Sequence, residues 1–285
     1  MNIPKITVVG SINMDLLTGM SKMPQQGETL VGNNFAMKPG GKGANQAVAA
    51  ARLGADVKFI GKVGDDALGV DLLSHMKQAG IDIKYIDSEE GKSTGIANVL
   101  LYDKDNRIIF VSGANEAVTA DDVAGKKDVL LSSDIVIMQM EIPIKTIIWC
   151  VEFCYENNIP VIVNPAPATD LPNEIWEKCT FITPNEAEAS QLGLDQFSEK
   201  LITTLGSQGA QYRDSIIPTY QANVVDTTGA GDTFNGTLAY YIATGYKVED
   251  AIHRANAAAS LAIEKLGAQE GMPTRNQVEE RLAEM

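Results

Sequence analysis

A glycine-rich turn at residues 226–236 runs directly into a helix and carries the strongest chemical signal in the sequence. Apolar residues follow it at helical spacing, namely Phe234, Leu238, Tyr241 and Ile242. Backbone N–H groups and the helix dipole favour an anion at such a helix start, and Gly229 and Gly231 let a phosphoryl group approach the backbone. Asp232, in the first turn, could accept a proton from a substrate hydroxyl. The ordinary alternative is a capped helix with an aspartate in its first turn.

A second glycine cluster, at residues 40–43, precedes an alanine-rich helix predicted at 43–53. It is not a phosphate-binding Walker loop, because Gly43 stands where that motif has Ser or Thr after its lysine. It is not a dinucleotide fingerprint either, because Gln46 occupies the third glycine position. Taken alone, the cluster predicts a site for a polar ligand.

Polar side chains follow two predicted strands at the end where open α/β sheets bind ligands. Asn13 and Asp15 come after the strand at 5–10 and could both face a polyol, and Glu141 follows the strand at 134–139. The plain alternatives are an Asx turn for the first pair and a solvated glutamate before a helix-initiating proline for Glu141.

Strands and helices alternate along most of the chain, which predicts an α/β fold with a central, mostly parallel sheet flanked by helices. The predicted strands are 5–10, 57–60, 134–139, 160–164, 181–183 and 200–205. The predicted helices are 43–53, 67–79, 144–157, 185–192, 230–244, 248–266 and 275–283. Short extended segments are also expected at 216–218 and 222–225.

Two segments without helical periodicity, residues 12–39 and 93–113, interrupt this alternation. Turn signals divide them into short strands, with a hairpin-like connection at 103–106. They predict a small β-sheet lid formed by two insertions. The remaining segments, 1–11, 40–92 and 114–285, then form the α/β core.

Composition excludes several classes of partner. The 285 residues are 45% hydrophobic and 21% charged, as in an ordinary globular protein. A net charge of −14 argues against nucleic acid and anionic membrane surfaces. No apolar run approaches the roughly 20 residues of a membrane helix, and the N-terminus does not resemble a signal peptide. Three cysteines suit a reducing cytoplasm, and with two histidines they make a zinc site improbable.

The two glycine-rich stretches, Asp-Thr-Thr-Gly-Ala-Gly-Asp-Thr-Phe-Asn-Gly and Gly-Gly-Lys-Gly-Ala-Asn-Gln-Ala, resemble the signatures of the ribokinase-like (PfkB) carbohydrate kinases. The resemblance runs through nearly the whole chain. It implies ATP-dependent phosphorylation of a sugar primary hydroxyl, with Asp232 as the base and the N–H groups of Gly229, Ala230 and Gly231 as an anion hole. The second stretch, together with Asn13, Asp15 and Glu141, favours D-ribose, giving ribose 5-phosphate.

The same resemblance implies three groups of binding residues. The sugar-binding positions are Asn13, Asp15, Gly41, Lys42, Asn45, Glu141 and Asp232. The ATP positions, including Asn185 and Glu188 for Mg²⁺-bound phosphates, are Asn185, Glu188, Thr204, Leu205, Gly206, Ser207, Gln208, Gly209, Gly231 and Asn256. The positions for a monovalent cation, K⁺, are Asp226, Thr228, Ala262, Lys265, Gly267 and Gly271, although the family usually has a serine where Gly271 stands.

The sequence departs from the family pattern between Leu192 and Lys200 and again at 212–215, where segments are short. A parallel crossover needs about a dozen residues or more, so residues absent from this sequence are expected there. A homodimer through the lid is expected by resemblance only.

Three functional alternatives remain open. A related kinase for fructose, ketodeoxygluconate or a nucleoside would share Asp232, and Phe35, Tyr102 and Phe110 do not exclude a stacked base. A non-catalytic sugar sensor is disfavoured by the intact Asp232 turn. A nicotinamide dehydrogenase is disfavoured by the missing fingerprint.

Overall fold

The computed structural model of this chain describes residues 3–103 and 105–284. The strands are β1 (Lys5–Val9), β2 (Asn13–Gly19), β3 (Asn34–Gly40), β4 (Asp56–Gly64), β5 (Ile86–Glu89), β6 (Gly95–Tyr102), β7 (Asp105–Val111), β8 (Ile135–Gln139), β9 (Val161–Asn164), β10 (Phe181–Ile182), β11 (Ile202–Thr204), β12 (Ala210–Tyr212) and β13 (Ser215–Ile217). The helices are α1 (Lys42–Arg52), α2 (Ala67–Gln78), α3 (Ala120–Ala124), α4 (Lys127–Leu131), α5 (Ile144–Glu156), α6 (Asn173–Lys178), α7 (Glu186–Leu192), α8 (Ala230–Ala243), α9 (Val248–Ala262) and α10 (Arg275–Leu282).

A six-stranded parallel sheet lies at the centre, in the order β10-β9-β8-β1-β4-β5. The adjacent strands β1, β8 and β9 are mostly apolar and buried because helices cover both faces of the sheet. On one face Val8 packs in a cluster with side chains of α1, α8 and α9, and on the other Val9 packs in a second cluster with side chains of α5 and α6. The predicted fold class is confirmed, and the polar residues after β1 and β8 lie at the same edge of the sheet.

Helices α1 and α8 approach each other closely at Gly236. A Cβ on Gly236 would lie 2.4 Å from the Gln46 carbonyl oxygen and 2.7 Å from the Ala49 side chain, so only glycine fits in this arrangement. At the start of α1, a Cβ on Gly43 would lie 2.6 Å from the Ser11 nitrogen. The two glycines therefore hold α1 against both β1 and α8, within reach of short side chains.

The segments predicted as short strands form a four-stranded sheet, called here the small sheet, in the order β3-β2-β6-β7. Strands β2 and β6 are parallel, whereas the two outer pairs are antiparallel. Asp15 on β2 pairs across the sheet with Lys38 on β3, and Lys38 forms an ion pair with Glu270 near the C-terminus. The predicted connection at 103–106 includes Lys104, which lies outside the described residues.

The strand predicted at 200–205 is shorter in the structure, and it has a further partner that was not predicted. Leu201 and Thr204 form isolated parallel bridges with Ile182 and Asn185 beside the central sheet. Strand β11 also belongs to a three-stranded antiparallel sheet, β11-β12-β13. The hairpin of β12 and β13 follows β11 at once and satisfies its backbone groups locally. The segment 222–225, expected to be extended, forms no strand in the described structure.

The expectation of absent residues between Leu192 and Lys200 stays a prediction. Helix α7 and a 3₁₀ turn at Leu194–Phe197 carry the chain from β10 to β11 without a break. Leu194 and Phe197 are buried and anchor the turn in the core. At 212–215 the chain closes the tight turn between β12 and β13, with Arg213 at a positive φ of 53°. Within the described ranges, no helix is both long and apolar enough to cross a membrane.

Candidate active site

Asp232 is buried in the first turn of α8, and both of its carboxylate oxygens accept hydrogen bonds from α1. Asn45 Nδ2 donates to Oδ2 at 2.9 Å, and Gln46 Nε2 donates to Oδ1 at 3.0 Å. Each oxygen keeps further capacity to accept a hydrogen bond. The predicted base is therefore fixed in orientation and still able to receive a proton.

The glycine turn before Asp232 has the shape that an anion site requires. Gly229 caps α8 in the left-handed conformation, and a Cβ there would lie 2.4 Å from the Ala268 carbonyl oxygen. A Cβ on Gly231 would meet no atom within 4 Å. Open space thus lies beside the backbone of Gly231, next to Ala230 and the positive end of the helix dipole.

Glu141 lies at the N-terminus of α1, where three donors converge on its Oε2 atom. Ser11 Oγ donates at 2.5 Å, the Lys42 backbone nitrogen at 3.1 Å, and Asn13 Nδ2 at 3.4 Å. Burial is the main cause that raises the pKa of Glu141, despite these donors and the Lys42 charge. Gly41 precedes α1 at φ 90°, which only glycine adopts without strain, and turns the chain toward Glu141.

Asp15 and Lys42 complete the predicted sugar side. The Asp15 carboxylate lies over Gly40, where a Cβ would be 2.4 Å from Oδ1. Burial, followed by repulsion from Glu141 and Asp232, raises the pKa of Asp15 to about 7. Burial alone would lower the pKa of Lys42, but the attraction of the surrounding carboxylates outweighs it and the net shift is upward. These carboxylates are Asp232, Glu141, Glu188 and Asp15. Lys42 therefore sits as a stable cation between the acids.

Asn45, also predicted on the sugar side, already uses both ends of its amide. Its Nδ2 donates to Asp232 and its Oδ1 accepts from Gln269 Nε2 at 2.8 Å. Asn13 is similarly held, because its Oδ1 accepts from Asn115 Nδ2 at 2.7 Å. The structure thus brings the seven predicted sugar-binding residues to one edge of the sheet. Two of them, Asn13 and Asn45, donate hydrogen bonds to the carboxylates of Glu141 and Asp232.

On the predicted nucleotide side, Asn185 and Glu188 face each other across the first turn of α7. Asn185 Oδ1 accepts from the Glu188 nitrogen at 2.8 Å, and Glu188 Oε2 accepts from the Asn185 nitrogen at 2.9 Å. The Glu188 charge also acts to raise the pKa of Lys42. Carboxylate and amide oxygens are ligands that suit Mg²⁺, so this pair fits a Mg²⁺-bound phosphate.

The predicted segment from Thr204 to Gly209 forms a tight, mostly exposed turn between β11 and β12. Residues Gly206, Ser207 and Gln208 form a 3₁₀ turn, and the Leu205 nitrogen donates to the Gly209 carbonyl at 2.8 Å. Thr204 is tied to the Pro184 carbonyl beside α7. The segment therefore lies next to Asn185.

Asn256 does not present its side chain freely to a nucleotide. Its Nδ2 donates to the carbonyl oxygens of Ile217, at 2.8 Å, and Pro218, at 3.2 Å. The side chain is buried on α9 and holds the end of β13. In this structure the Asn256 amide contacts backbone carbonyl groups behind the predicted ATP segment.

Two of the predicted cation residues, Thr228 and Gly267, donate hydrogen bonds to the Asp226 carboxylate. Asp226 Oδ1 accepts from Thr228 Oγ1 at 2.7 Å, and Oδ2 accepts from the Gly267 nitrogen at 2.9 Å. Burial works to raise the pKa of Asp226, but these hydrogen bonds outweigh it and the net shift is downward. A Cβ on Gly271 would lie 1.9 Å from the Ala262 carbonyl oxygen, so this backbone has no room for a serine. The carboxylate and the carbonyl groups of the Ala262–Gly267 loop, which includes Lys265, are an oxygen donor set that suits a hard cation.

Several residues that shape the site were missed by sequence reasoning. Gln46 lies in the second glycine-rich stretch and Ser11 lies between the strand predicted at 5–10 and Asn13, but neither was given a role. Asn115 and Gln269 were not considered as site residues. Asn115 accepts from the Ile12 nitrogen at 2.9 Å and positions Asn13. Ser11 and Gln46 could have been found because each is a polar residue directly beside a predicted site residue. The sequence contains no such indication for Asn115.

Comparison with known proteins agrees with this geometry. A family model described as pfkB family carbohydrate kinase matches residues 3–275. The chain is 43% identical over 290 residues to a ribokinase of Bacillus subtilis (strain 168), covering 98% of this chain and 99% of that protein. It is 44% identical over 294 residues to a ribokinase of Lactococcus lactis subsp. lactis (strain IL1403), covering 99% and 98%.

Among solved structures, the fold matches Arabidopsis thaliana ribokinase complexed with ribose and ATP at a TM-score of 0.90. The two chains share 32% sequence identity, with 99% of each covered. The site and fold thus define a sugar-phosphorylating class of enzyme. The chain belongs to the pfkB family of carbohydrate kinases.

Replacing Asp15 with asparagine should stabilise the fold in a pH-dependent way. The pKa of Asp15 is about 7 in the folded chain against 3.8 for the unperturbed group, so the folded state binds the proton more tightly. The resulting penalty is absent below pH 3.8, grows as the pH rises to about 7 and is constant above it. Since one pKa unit corresponds to about 1.4 kcal/mol, the increase in the free energy of unfolding for Asp15→Asn has an upper limit of about 4 kcal/mol.

Urea unfolding at pH 5 and pH 8 would measure this gain, with the exposed Asp65→Asn as the matched control. We expect the Asp15→Asn gain to be larger at pH 8 and the control to change little at either pH. An equal gain at both pH values would contradict the electrostatic origin of the penalty.

Proposed function

We propose that this chain transfers the γ-phosphoryl group of ATP to the primary hydroxyl of D-ribose, giving ribose 5-phosphate and ADP. The observation that carries this proposal is the oriented Asp232 carboxylate beside the open Gly229–Gly231 turn at a helix start. Relatives named as ribokinases, with more than 40% identity over nearly the full chain, support ribose as the sugar.

On this proposal, each part of the site has its own role. Asp232 accepts the hydroxyl proton as the oxygen attacks the phosphorus atom, and the P–O bond to ADP breaks. The N–H groups of Gly229, Ala230, Gly231 and Asp232 stabilise charge on the transferred group. Asp15, Asn13, Glu141 and Lys42 hold the sugar hydroxyls, with the backbone of Gly41 and the amide of Asn45 beside them.

Nucleotide binding is assigned to the other side of Asp232. The turn from Thr204 to Gly209 lines the nucleotide, backed by Asn256, while Asn185 and Glu188 organise the Mg²⁺-bound phosphates. Mg²⁺ neutralises phosphate charge when it is bound. The site is thus divided between a sugar side at α1 and a nucleotide side at α7 and β11.

The small sheet, formed from residues 12–39 and 93–113, is proposed to close over the sugar as a lid on a core of residues 1–11, 40–92 and 114–285. Closure would exclude water and limit ATP hydrolysis. A cavity of about 210 Å³ lies beside Glu141 and is bounded by Phe110 of β7, so the small sheet already faces the sugar side.

The same sheet supports a homodimer through the lid. Its large apolar side chains include several that are exposed, namely Phe35, Met37, Ile108 and Ile109. Exposed apolar patches of this kind mark interaction surfaces. Sedimentation velocity at micromolar concentration should give twice the chain mass of 30.6 kDa, and a monomer at that concentration would refute the proposal.

A cytoplasmic location is proposed because all three cysteines are free and buried.

Loss of the base should lower the turnover rate strongly without loss of the fold. For Asp232→Asn we expect kcat to fall by about 10²-fold or more, the usual contribution of a general base. A coupled ATP-to-ADP assay with Mg²⁺ and K⁺ would measure it across ribose, deoxyribose, fructose, ketodeoxygluconate and adenosine, with Asp65→Asn as the control.

Turnover should be highest with ribose. A preference for another sugar would keep Asp232 as the base and discard ribose. A preference for adenosine would assign the cavity at Phe110 to a base, and ribose binding without turnover by the wild-type chain would indicate a sensor.

K⁺ is proposed to bind at Asp226 and the carbonyl groups of its neighbouring loop. The predicted set, Asp226, Thr228, Ala262, Lys265, Gly267 and Gly271, contains one carboxylate, so Asp226→Asn should abolish stimulation by K⁺. Initial rates would be compared in KCl and in tetramethylammonium chloride of equal ionic strength, with Asp65→Asn as the control. A wild-type enzyme that does not respond to K⁺, or a variant that responds equally, would refute the site.

A further inference from the structure

Buried amide side chains converge on Asp232 from two directions. On one side, Gln46 Nε2 donates to Asp232 Oδ1 at 3.0 Å and to Asn164 Oδ1 at 3.2 Å. Gln46 Oε1 in turn accepts from Gln139 Nε2 at 2.7 Å. Gln46, Gln139 and Asn164 are all buried, and their residues lie up to 186 positions from their partners in sequence.

On the other side, the chain of amides reaches α2. Asn45 Nδ2 donates to Asp232 Oδ2 at 2.9 Å, and Asn45 Oδ1 accepts from Gln269 Nε2 at 2.8 Å. Gln269 Oε1 lies 2.7 Å from His75 Nε2. The half-buried His75 therefore ends a chain that begins at the proposed base.

The carboxylate fixes the orientation of every group in both chains. An ionised carboxylate only accepts hydrogen bonds, so Gln46 and Asn45 must present their NH₂ groups to it. Their oxygens are then left as acceptors for the NH₂ groups of Gln139 and Gln269. His75 must consequently carry hydrogen on Nε2, because it faces the oxygen of Gln269.

Gln139 provides a second, independent observation. Its Oε1 atom is buried and has no hydrogen-bond partner within the part of the chain that the structure describes. It packs against Gly10, where a Cβ would lie 2.2 Å from Oε1. An apolar side chain would fill this space without an unsatisfied acceptor. If the Gln139 amide were rotated by 180°, its oxygen would face the Gln46 oxygen. The observed orientation leaves Gln139 Oε1 without a partner but keeps the hydrogen bond from Gln139 Nε2 to Gln46.

We propose that Gln46 and Gln269 are positioning residues for the base of the phosphoryl transfer, with Gln139 and His75 orienting them. The inference rests on the proposed function, since it assigns Asp232 as the base. The donated hydrogen bonds stabilise the ionised carboxylate and hold its plane so that one acceptor site on each oxygen remains toward the substrate.

The neighbouring acids explain why such donors are required. Asp15 and Glu141 lie close enough to Asp232 to repel its charge, and the pKa of both is raised. In a cluster of carboxylates, protons bind the members that receive the least stabilisation. Two amide donors, Asn45 and Gln46, hold the carboxylate of Asp232, which lies beside the anion turn.

The test places an apolar side chain of similar length at two positions, in Gln46→Met, which removes a donor to Asp232, and in Gln269→Met, which removes the donor that holds Asn45. Gln78→Met is the matched control, because the Gln78 amide donates to Ser74 on the exposed side of α2, away from Asp232. The titration of the Asp232 carboxyl carbon would be followed by NMR in chains with ¹³C-labelled aspartate, its signal assigned by its loss in Asp232→Asn. This measurement does not depend on turnover.

We expect the titration midpoint of the Asp232 signal to move up by about one pH unit in Gln46→Met, to move in the same direction by less in Gln269→Met, and to stay unchanged in Gln78→Met. In the kinase assay, the acid limb of the kcat profile should move in the same direction, with kcat recovering above pH 8. An unmoved midpoint in both folded variants would overturn the inference, as would a kcat loss equal at every pH. A wild-type chain without turnover would instead count against the proposed function, while the NMR result would still decide the positioning role.

Discussion

The structure depends on the close approach of α1 and α8 at Gly236. This contact brings Asn45 and Gln46, which follow the first glycine cluster, to Asp232, which follows the second. The two glycine-rich stretches are about 190 residues apart in sequence, and neither contains a complete site. Their chemistry becomes one unit because Gly43 seats α1 on the end of β1 and Gly236 lets α8 pack on α1 without intervening side chains.

Charge at this edge of the sheet works against stability. Asp15, Glu141 and Asp232 are gathered around Lys42, and repulsion among the acids contributes to the raised pKa of Asp15. A fold selected for stability alone would separate them or pair each with a base. Sugar hydroxyls need acceptors, and the hydroxyl that attacks the phosphoryl group needs a base, so the gathered carboxylates are understandable as groups whose hydrogen-bond donors come from the bound sugar.

Local patterns predicted the elements well and their distant pairing poorly. The spacing of Phe234, Leu238 and Tyr241 placed α8 within a residue of its observed end, since helical periodicity is a local property. The antiparallel pairing of β11 with β12 was not predicted, because a three-residue strand carries little pattern and its partner comes from the adjacent β12–β13 hairpin. The role of Gln46 was missed for a related reason: nothing in its neighbours indicates a carboxylate 186 residues away.

The loop at Gly267–Gly271 shows why a departure from a family pattern has to be judged in three dimensions. From the sequence, Gly271 is only the loss of a side-chain ligand. In the structure its Cα packs against the Ala262 carbonyl, and the carboxylate of the adjacent Glu270 lies over Gly267 while pairing with Lys38 of the small sheet. The Lys38–Glu270 ion pair joins the strand that faces Asp15 to the loop that contacts Asp226 through Gly267. The small sheet and the loop at 267–271 are consequently connected through the Lys38–Glu270 ion pair.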